Sequence, residues 1–80
     1  MTVARLRFFG AAVDAAGSRE GDIDGNTVDE VLTAACARYG DRFADVLGRS
    51  KVWVNGQPAA PGDPVMAWDE LAVLPPVSGG

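Results

Sequence analysis

The chain predicts a single α+β domain in which one main helix lies across a mixed sheet. Three observations carry that expectation: an opening run that alternates apolar and charged residues, a capped central stretch with helical apolar spacing, and an apolar last segment, Glu70 to Leu74, downstream of an Asn-Gly turn signal. The expected order of strand, strand, helix, strand, short strand, strand is that of an α+β domain.

Residues Val3 to Phe9 place Ala4, Leu6 and Phe8 on one side and Val3, Arg5, Arg7 and Phe9 on the other, the period of a half-buried strand. Gly10 to Gly17 is alanine-rich with glycine at each end. It is too short for an independent helix, so a loop with a helical kink around Asp14 is expected. Arg19 to Ile23 is expected to pair back as a second strand that Gly21 weakens. Thr27-Val28-Asp29-Glu30 fits a capping box, with the Thr27 hydroxyl accepting from the Glu30 amide and the Glu30 side chain returning to the Thr27 N–H. Val28, Val31, Leu32, Ala35, Cys36 and Tyr39 then form the buried stripe of a helix from Val28 to Tyr39, and Gly40 stands where a left-handed cap would close it. Asp41 to Leu47 predicts a short second helix packing Phe43, Val46 and Leu47. Val52 to Val54 reads as a strand, Asn55-Gly56 as a two-residue hairpin turn, and Gln57 to Ala60 as a return strand blunted by Pro58. Pro61-Gly62-Asp63-Pro64 is a turn cluster before the last strand.

Eighty residues allow one marginal core, because a chain of this size buries only about 60% of the surface it exposes when extended. Thirteen of its apolar residues are alanine, so the larger side chains cannot also wall off a deep substrate cavity, and a self-contained enzyme is disfavoured. A net charge of −4 opposes nucleic-acid binding. With no histidine and one cysteine, catalytic triads, zinc-finger spacings and disulfide frameworks drop out, no metal site is expected, and the expected compartment is a reducing cytoplasm. No apolar run approaches the ~18 residues of a membrane span, and no export signal is visible.

After Glu70 the sequence carries no charge: Leu71-Ala72-Val73-Leu74-Pro75-Pro76-Val77-Ser78-Gly79-Gly80. The expected division is a folded domain over 1–74 and an extended tail over 75–80. Pro75-Pro76 stops the strand and favours an extended geometry, in which the six residues to Gly80 reach up to about 20 Å. Gly79 and Gly80 remove every side chain beside the carboxylate, so the tip fits a narrow channel and its last carbonyl is open to attack from either face. With no other reactive group in the chain, the Gly80 carboxyl is the candidate chemical group.

V-L-P-P-V-S-G-G after a D-E turn, with the L-R-F-F-G opening strand, the capped T-V-D-E helix and V-N-G in the hairpin, resembles the small subunit of molybdopterin synthase, a β-grasp sulfur carrier related to ubiquitin. The resemblance extends over nearly the whole chain. It implies that a separate ubiquitin-activating-type adenylyltransferase adenylates Gly80 from ATP and that the acyl-adenylate accepts sulfur to become a thiocarboxylate. It further implies that the tail enters the large subunit of molybdopterin synthase, which holds the catalytic pocket, and gives its sulfur to a cyclic pyranopterin monophosphate. This chain then binds no cofactor of its own; it supplies sulfur, covalently at Gly80, and positioning. Two residues depart from the family pattern: Trp68 stands where glycine usually precedes the D-E pair, and an arginine usual after the first strand is absent from Ala11-Ala12-Val13-Asp14.

Phe9, Pro58 and Leu74 are the candidate partner-binding residues: Phe9 and Leu74 are expected to face outward from their strands and, together with Pro58, to form one apolar contact patch. Arg5 and Arg7 read equally well as a solvated sheet face. Cys36, within the helical stripe, is expected to be a buried small hydrophobe; Trp53 and Trp68 stay undecided between core and surface. Other readings share the fold and tail: a carrier for thiamine thiazole or cysteine biosynthesis, or a ubiquitin-like modifier of lysines. A plain interaction module with inert glycines is a further alternative. The proline pair favours the molybdopterin reading.

Overall fold

The computed structural model describes residues 2–76. The chain forms β1 (Val3–Phe8), α1 (Ala11–Ala16), β2 (Glu20–Asp24), α2 (Val28–Tyr39), α3 (Asp41–Gly48), β3 (Lys51–Val54), β4 (Gln57–Pro58) and β5 (Glu70–Leu74). The strands make one five-stranded sheet in the order β2-β1-β5-β3-β4. β1 runs antiparallel to β2 and parallel to β5, and β3 runs antiparallel to both β5 and β4. The α+β expectation holds.

The alternation in β1 decides the faces. Ala4, Leu6 and Phe8 are buried and Arg5 and Arg7 exposed. In-register neighbours share a face, so Leu71 and Val73 of β5 join Leu6 and Phe8 on the core side. The helices cover that side with Val28, Val31 and Ala35 from α2 and Phe43 and Val46 from α3. Phe8, Tyr39 and Phe43 form an aromatic trio with ring centroids 5.2–5.4 Å apart, two of the three contacts edge to face. The trio ties β1 to both longer helices.

Every free N–H in the first turn of α2 has an acceptor. Val28 N donates to Asp63 O, Asp29 N to Pro61 O, Glu30 N to Thr27 Oγ1 and Val31 N to Thr27 O. The expected capping box is shifted by one residue on its return side: the Glu30 carboxylate accepts from Asn26 N, not from Thr27 N. The reason lies in the turn at 61–64, which bridges to Thr27 and docks on the helix start. Gly40 has φ 97° and ψ −174°, so it redirects the chain straight into α3 and does not form the left-handed cap expected of it.

The expected loop after β1 is instead the six-residue helix α1. Its closure is local and tertiary at once. Gly17, at φ 76°, gives the left-handed cap and its N–H donates to Val13 O, while Ala12 is buried and the helix lies against α3. Packing therefore supplies what six residues cannot supply alone. The return strand β4 ends at Pro58, shorter than the Gln57 to Ala60 expected. Asn55 and Gly56, at φ 49° and 83°, make the hairpin turn expected of them. Among the described residues no helix is long and apolar enough to cross a membrane.

Gly21 is in β2 for space. A Cβ built there would collide with the Tyr39 hydroxyl. Gly21→Ala is therefore expected to lower stability by about 1–3 kcal/mol, the usual cost of overpacking. Adding Tyr39→Phe, which removes the colliding atom, is expected to recover most of the loss; urea denaturation of the single and double variants checks both.

Candidate functional site

β5 is the central strand, hydrogen-bonded on both edges, and it leads directly into the expected tail. Its ladder stops where the sequence requires, because Pro75 and Pro76 offer no N–H. Leu74 is half-buried and paired with Lys51; Pro75 is half-buried and Pro76 exposed. Gly10, just past β1, lies beside the tail root: a Cβ there would sit 4.0 Å from Pro75 Cγ. Val77, Ser78, Gly79 and Gly80, the remaining tail candidates, lie outside the described residues.

The other end of β5 is locked. Asn55 Nδ2 donates to Asp69 Oδ1 and Asn55 Oδ1 accepts from Glu70 N, both at 3.0 Å, while Asn55 N donates to Glu70 O at 2.8 Å. Asp69 Oδ2 accepts from Met66 N at 2.8 Å, and Asp69 O accepts from Arg5 N at 2.8 Å. The hydrogen bonds from Met66 and Asn55 hold the Asp69 carboxyl below the usual carboxylate range. Between Met66 and Asp69, Trp68 is 61% exposed with φ 65°, and the Arg5 guanidinium lies 5.7 Å from its ring centroid. That left-handed backbone is one that glycine adopts without strain and tryptophan does not.

The three candidate contact residues fall in two places. Phe9, 42% exposed, follows β1, and Leu74 ends the adjacent β5. Both flank the tail root. Pro58 is exposed on β4, two strands from β5, in register with Trp53 and through it with Ala72. Phe9 lines a cleft of about 290 Å³ with Arg7, Gly10, Val13 and Arg19. Pro58 lines a separate groove of about 550 Å³ between the β3–β4 hairpin and the two longer helices, with Leu32, Leu47 and Trp53. Strand periodicity pointed to Phe9 but not to Arg19, ten residues on, which the α1 turn brings to the same cleft.

The outer sheet face is charged on both sides of β1, with Arg5–Asp22 at 3.6 Å across to β2 and Arg7–Glu70 at 3.7 Å across to β5. Cys36 is half-buried against the core, and burial pushes its thiol up, away from the reactive thiolate. Among the described residues no three His, Cys, Asp or Glu side chains gather as metal ligands. Among the described residues the body offers a cleft beside the end of β1 and a separate groove beside the β3–β4 hairpin.

A mixed five-stranded sheet covered by helices on one face, with its last strand at the centre and running out into a Pro-Pro segment, defines a β-grasp domain of the ubiquitin-like kind. The ThiS family model matches residues 6–80, and the chain belongs to that family of sulfur carriers and ubiquitin-like small modifiers. It is 37% identical over 84 aligned positions to small archaeal modifier protein 1 of Haloferax volcanii, covering 92% of this chain and 97% of that protein. The crystal structure of that Haloferax protein superposes with a TM-score of 0.87 at 33% identity, over 98% of this chain and 99% of the other. A chain from the complex of subunits 1 and 2 of the molybdopterin-converting factor of Helicobacter pylori superposes with a TM-score of 0.73 at 25% identity, over 99% and 100%.

Two outcomes test the locked end of β5. At position 68 the usual order of residues should reverse: Trp68→Gly is expected to be about 1 kcal/mol more stable than Trp68→Ala, because only glycine adopts φ 65° without strain. Urea midpoints at equal m-value measure the difference. Because the folded Asp69 carboxyl titrates below its unfolded value, its contribution is complete above the unfolded pKa and is lost as pH falls through the folded one. Asp69→Asn is therefore expected to be less stable than the parent at pH 7, with the gap narrowing as melts are taken below about pH 4.

Proposed function

We propose that the chain is a sulfur carrier whose Gly80 carboxyl is the reacting group, and that it serves as the small subunit of a molybdopterin synthase. The observation that carries this reading is the place of β5: the central strand of the sheet, paired on both edges, is followed in sequence by Pro75-Pro76 and the uncharged Val77-Ser78-Gly79-Gly80.

A carboxylate is a poor electrophile, so it must first be activated. Attack of the Gly80 carboxylate on the α-phosphorus of ATP, on a ubiquitin-activating-type adenylyltransferase, gives the acyl-adenylate and releases pyrophosphate. Hydrosulfide then attacks the acyl carbon, displaces AMP and, on losing its proton, leaves Gly80 as a thiocarboxylate. In the large subunit the thiocarboxylate sulfur attacks the cyclic pyranopterin monophosphate, and water returns Gly80 to the carboxylate. Residues 75–80 act as the stalk, the domain over 1–74 as the handle, and Phe9 and Leu74 as apolar contacts at the root, with Pro58 at a separate edge. The similarity to a chain of the Helicobacter complex supports a protein partner of this type.

A second reading has its own support, since the Haloferax relative at 37% identity is named a modifier protein. There the activated Gly80 acyl group passes to a lysine amine, forming an isopeptide and leaving no sulfur in the product. Both readings need the same activation.

Expressed with a sulfur-loading system, the chain is expected to gain about 16 Da, one sulfur replacing one oxygen, by intact-mass analysis. Deleting Gly80 is expected to abolish the gain while leaving the melting temperature nearly unchanged, since a terminal residue adds little to the core. Pterin sulfuration that survives the deletion would rule out the carrier reading. Conjugates of this chain on lysines, in place of pterin sulfuration by the loaded form, would decide for the modifier.

A further inference from the structure

The cleft beside the tail root has a charge opposite to that of the molecule. The chain carries a net charge of −4, yet the ionisable side chains lining this cleft are Arg7 and Arg19. Both are held there by backbone: Arg7 lies in β1, and the Arg19 carbonyl accepts from Phe8 N at 2.9 Å, which pins Arg19 against the end of the same strand. Arg7 meets Glu70 only loosely, at 3.7 Å, with its side chain 51% exposed. Arg19 is exposed and has no ion pair among the described residues. Phe9 and Val13 give the cleft apolar walls, which strengthen a charge-assisted hydrogen bond made inside it.

We propose that this cleft receives a carboxylate side chain of the enzyme that activates Gly80, with Arg19 as the principal donor and Arg7 beside it. The proposal rests on the tail reading above. A planar guanidinium suits a carboxylate through paired N–H donors. The nucleotide is the wrong occupant: its phosphates react at the tip of a stalk that, when extended, is up to about 20 Å from its root, so an anion in this cleft belongs to the body of the enzyme. Activation precedes every use of the tail, so this enzyme is the partner common to both readings.

The test is ATP–pyrophosphate exchange by the ubiquitin-activating-type adenylyltransferase of the same organism, with the full chain as substrate. Arg19→Glu is expected to raise KM for the chain about tenfold at low ionic strength with kcat unchanged, the gap shrinking in 0.5 M salt as the contact is screened. Arg19→Lys, which keeps the charge, is expected to stay within about threefold of the parent. Arg7→Gln should move KM in the same direction, and thermal melts of all three should match the parent's. An Arg19→Glu chain with unchanged KM at low salt, or a loss indifferent to salt, overturns the cleft while leaving the tail reading intact. Failure of the parent chain itself to support exchange overturns both.

Discussion

The pairing of the first strand with the last is the constraint on which the rest of the molecule depends. β1 and β5 lie more than sixty residues apart in sequence and side by side in the sheet, aligned from Arg5↔Glu70 to Phe8↔Val73. That register turns Leu6, Phe8, Leu71 and Val73 toward the helices together, because slipping it by one residue would send all of one strand's apolar side chains to the solvent face. It also places the exit of β5 beside the exit of β1. The Gly10 turn and the tail root are neighbours for this reason, and α1 returns Arg19 to the same end of the sheet to complete the cleft.

The two ends of β5 do opposite work. At its start, Asn55 bonds to backbone and side chain alike, Asp69 ties the preceding turn to itself, and Trp68 is held in a conformation that its side chain disfavours. Such a residue persists only where its surroundings over-determine it, and the hydrogen bonds on either side, with Arg5 against the indole, provide that. At its end the strand meets two residues that cannot donate. The anchored start and the proline pair together fix where β5 ends in the sheet.

Elements specified by neighbouring residues were legible in the sequence. The alternation of β1, the Thr27 cap, the Asn55-Gly56 turn and the apolar β5 are all local patterns, and each formed. β1 stops at Phe8, one residue short of the run expected, and the helical stripe is fully buried only at Val28, Val31 and Ala35. α1 was not legible, since a six-residue helix forms only with Ala12 buried and the chain lying on α3, which no local window reports. The shifted capping bond depends on a turn more than thirty residues downstream, and Gly21 weakens β2 as a pattern while making room for Tyr39. The candidate site divides the same way. Composition alone marks the uncharged Pro-Pro and Gly-Gly segment. The meeting of Arg7, Phe9 and Arg19 follows from tertiary folding, as does the separation of Pro58 from Phe9 and Leu74.

Placing the tail on a strand that needs the opposite end of the chain has a consequence for handling. A small domain of this kind folds as one cooperative unit, so β5 has no register until β1, the helices and the β3–β4 hairpin are in place. An unfolded chain carries the same Pro-Pro and Gly-Gly residues but not the Gly10 turn or the arginine cleft beside them. An enzyme that grips only the tail would accept both forms, whereas one that also contacts the root would accept the folded form alone. Under the proposed activation by ATP, a root built from both ends of the sequence would restrict that expense to folded domains.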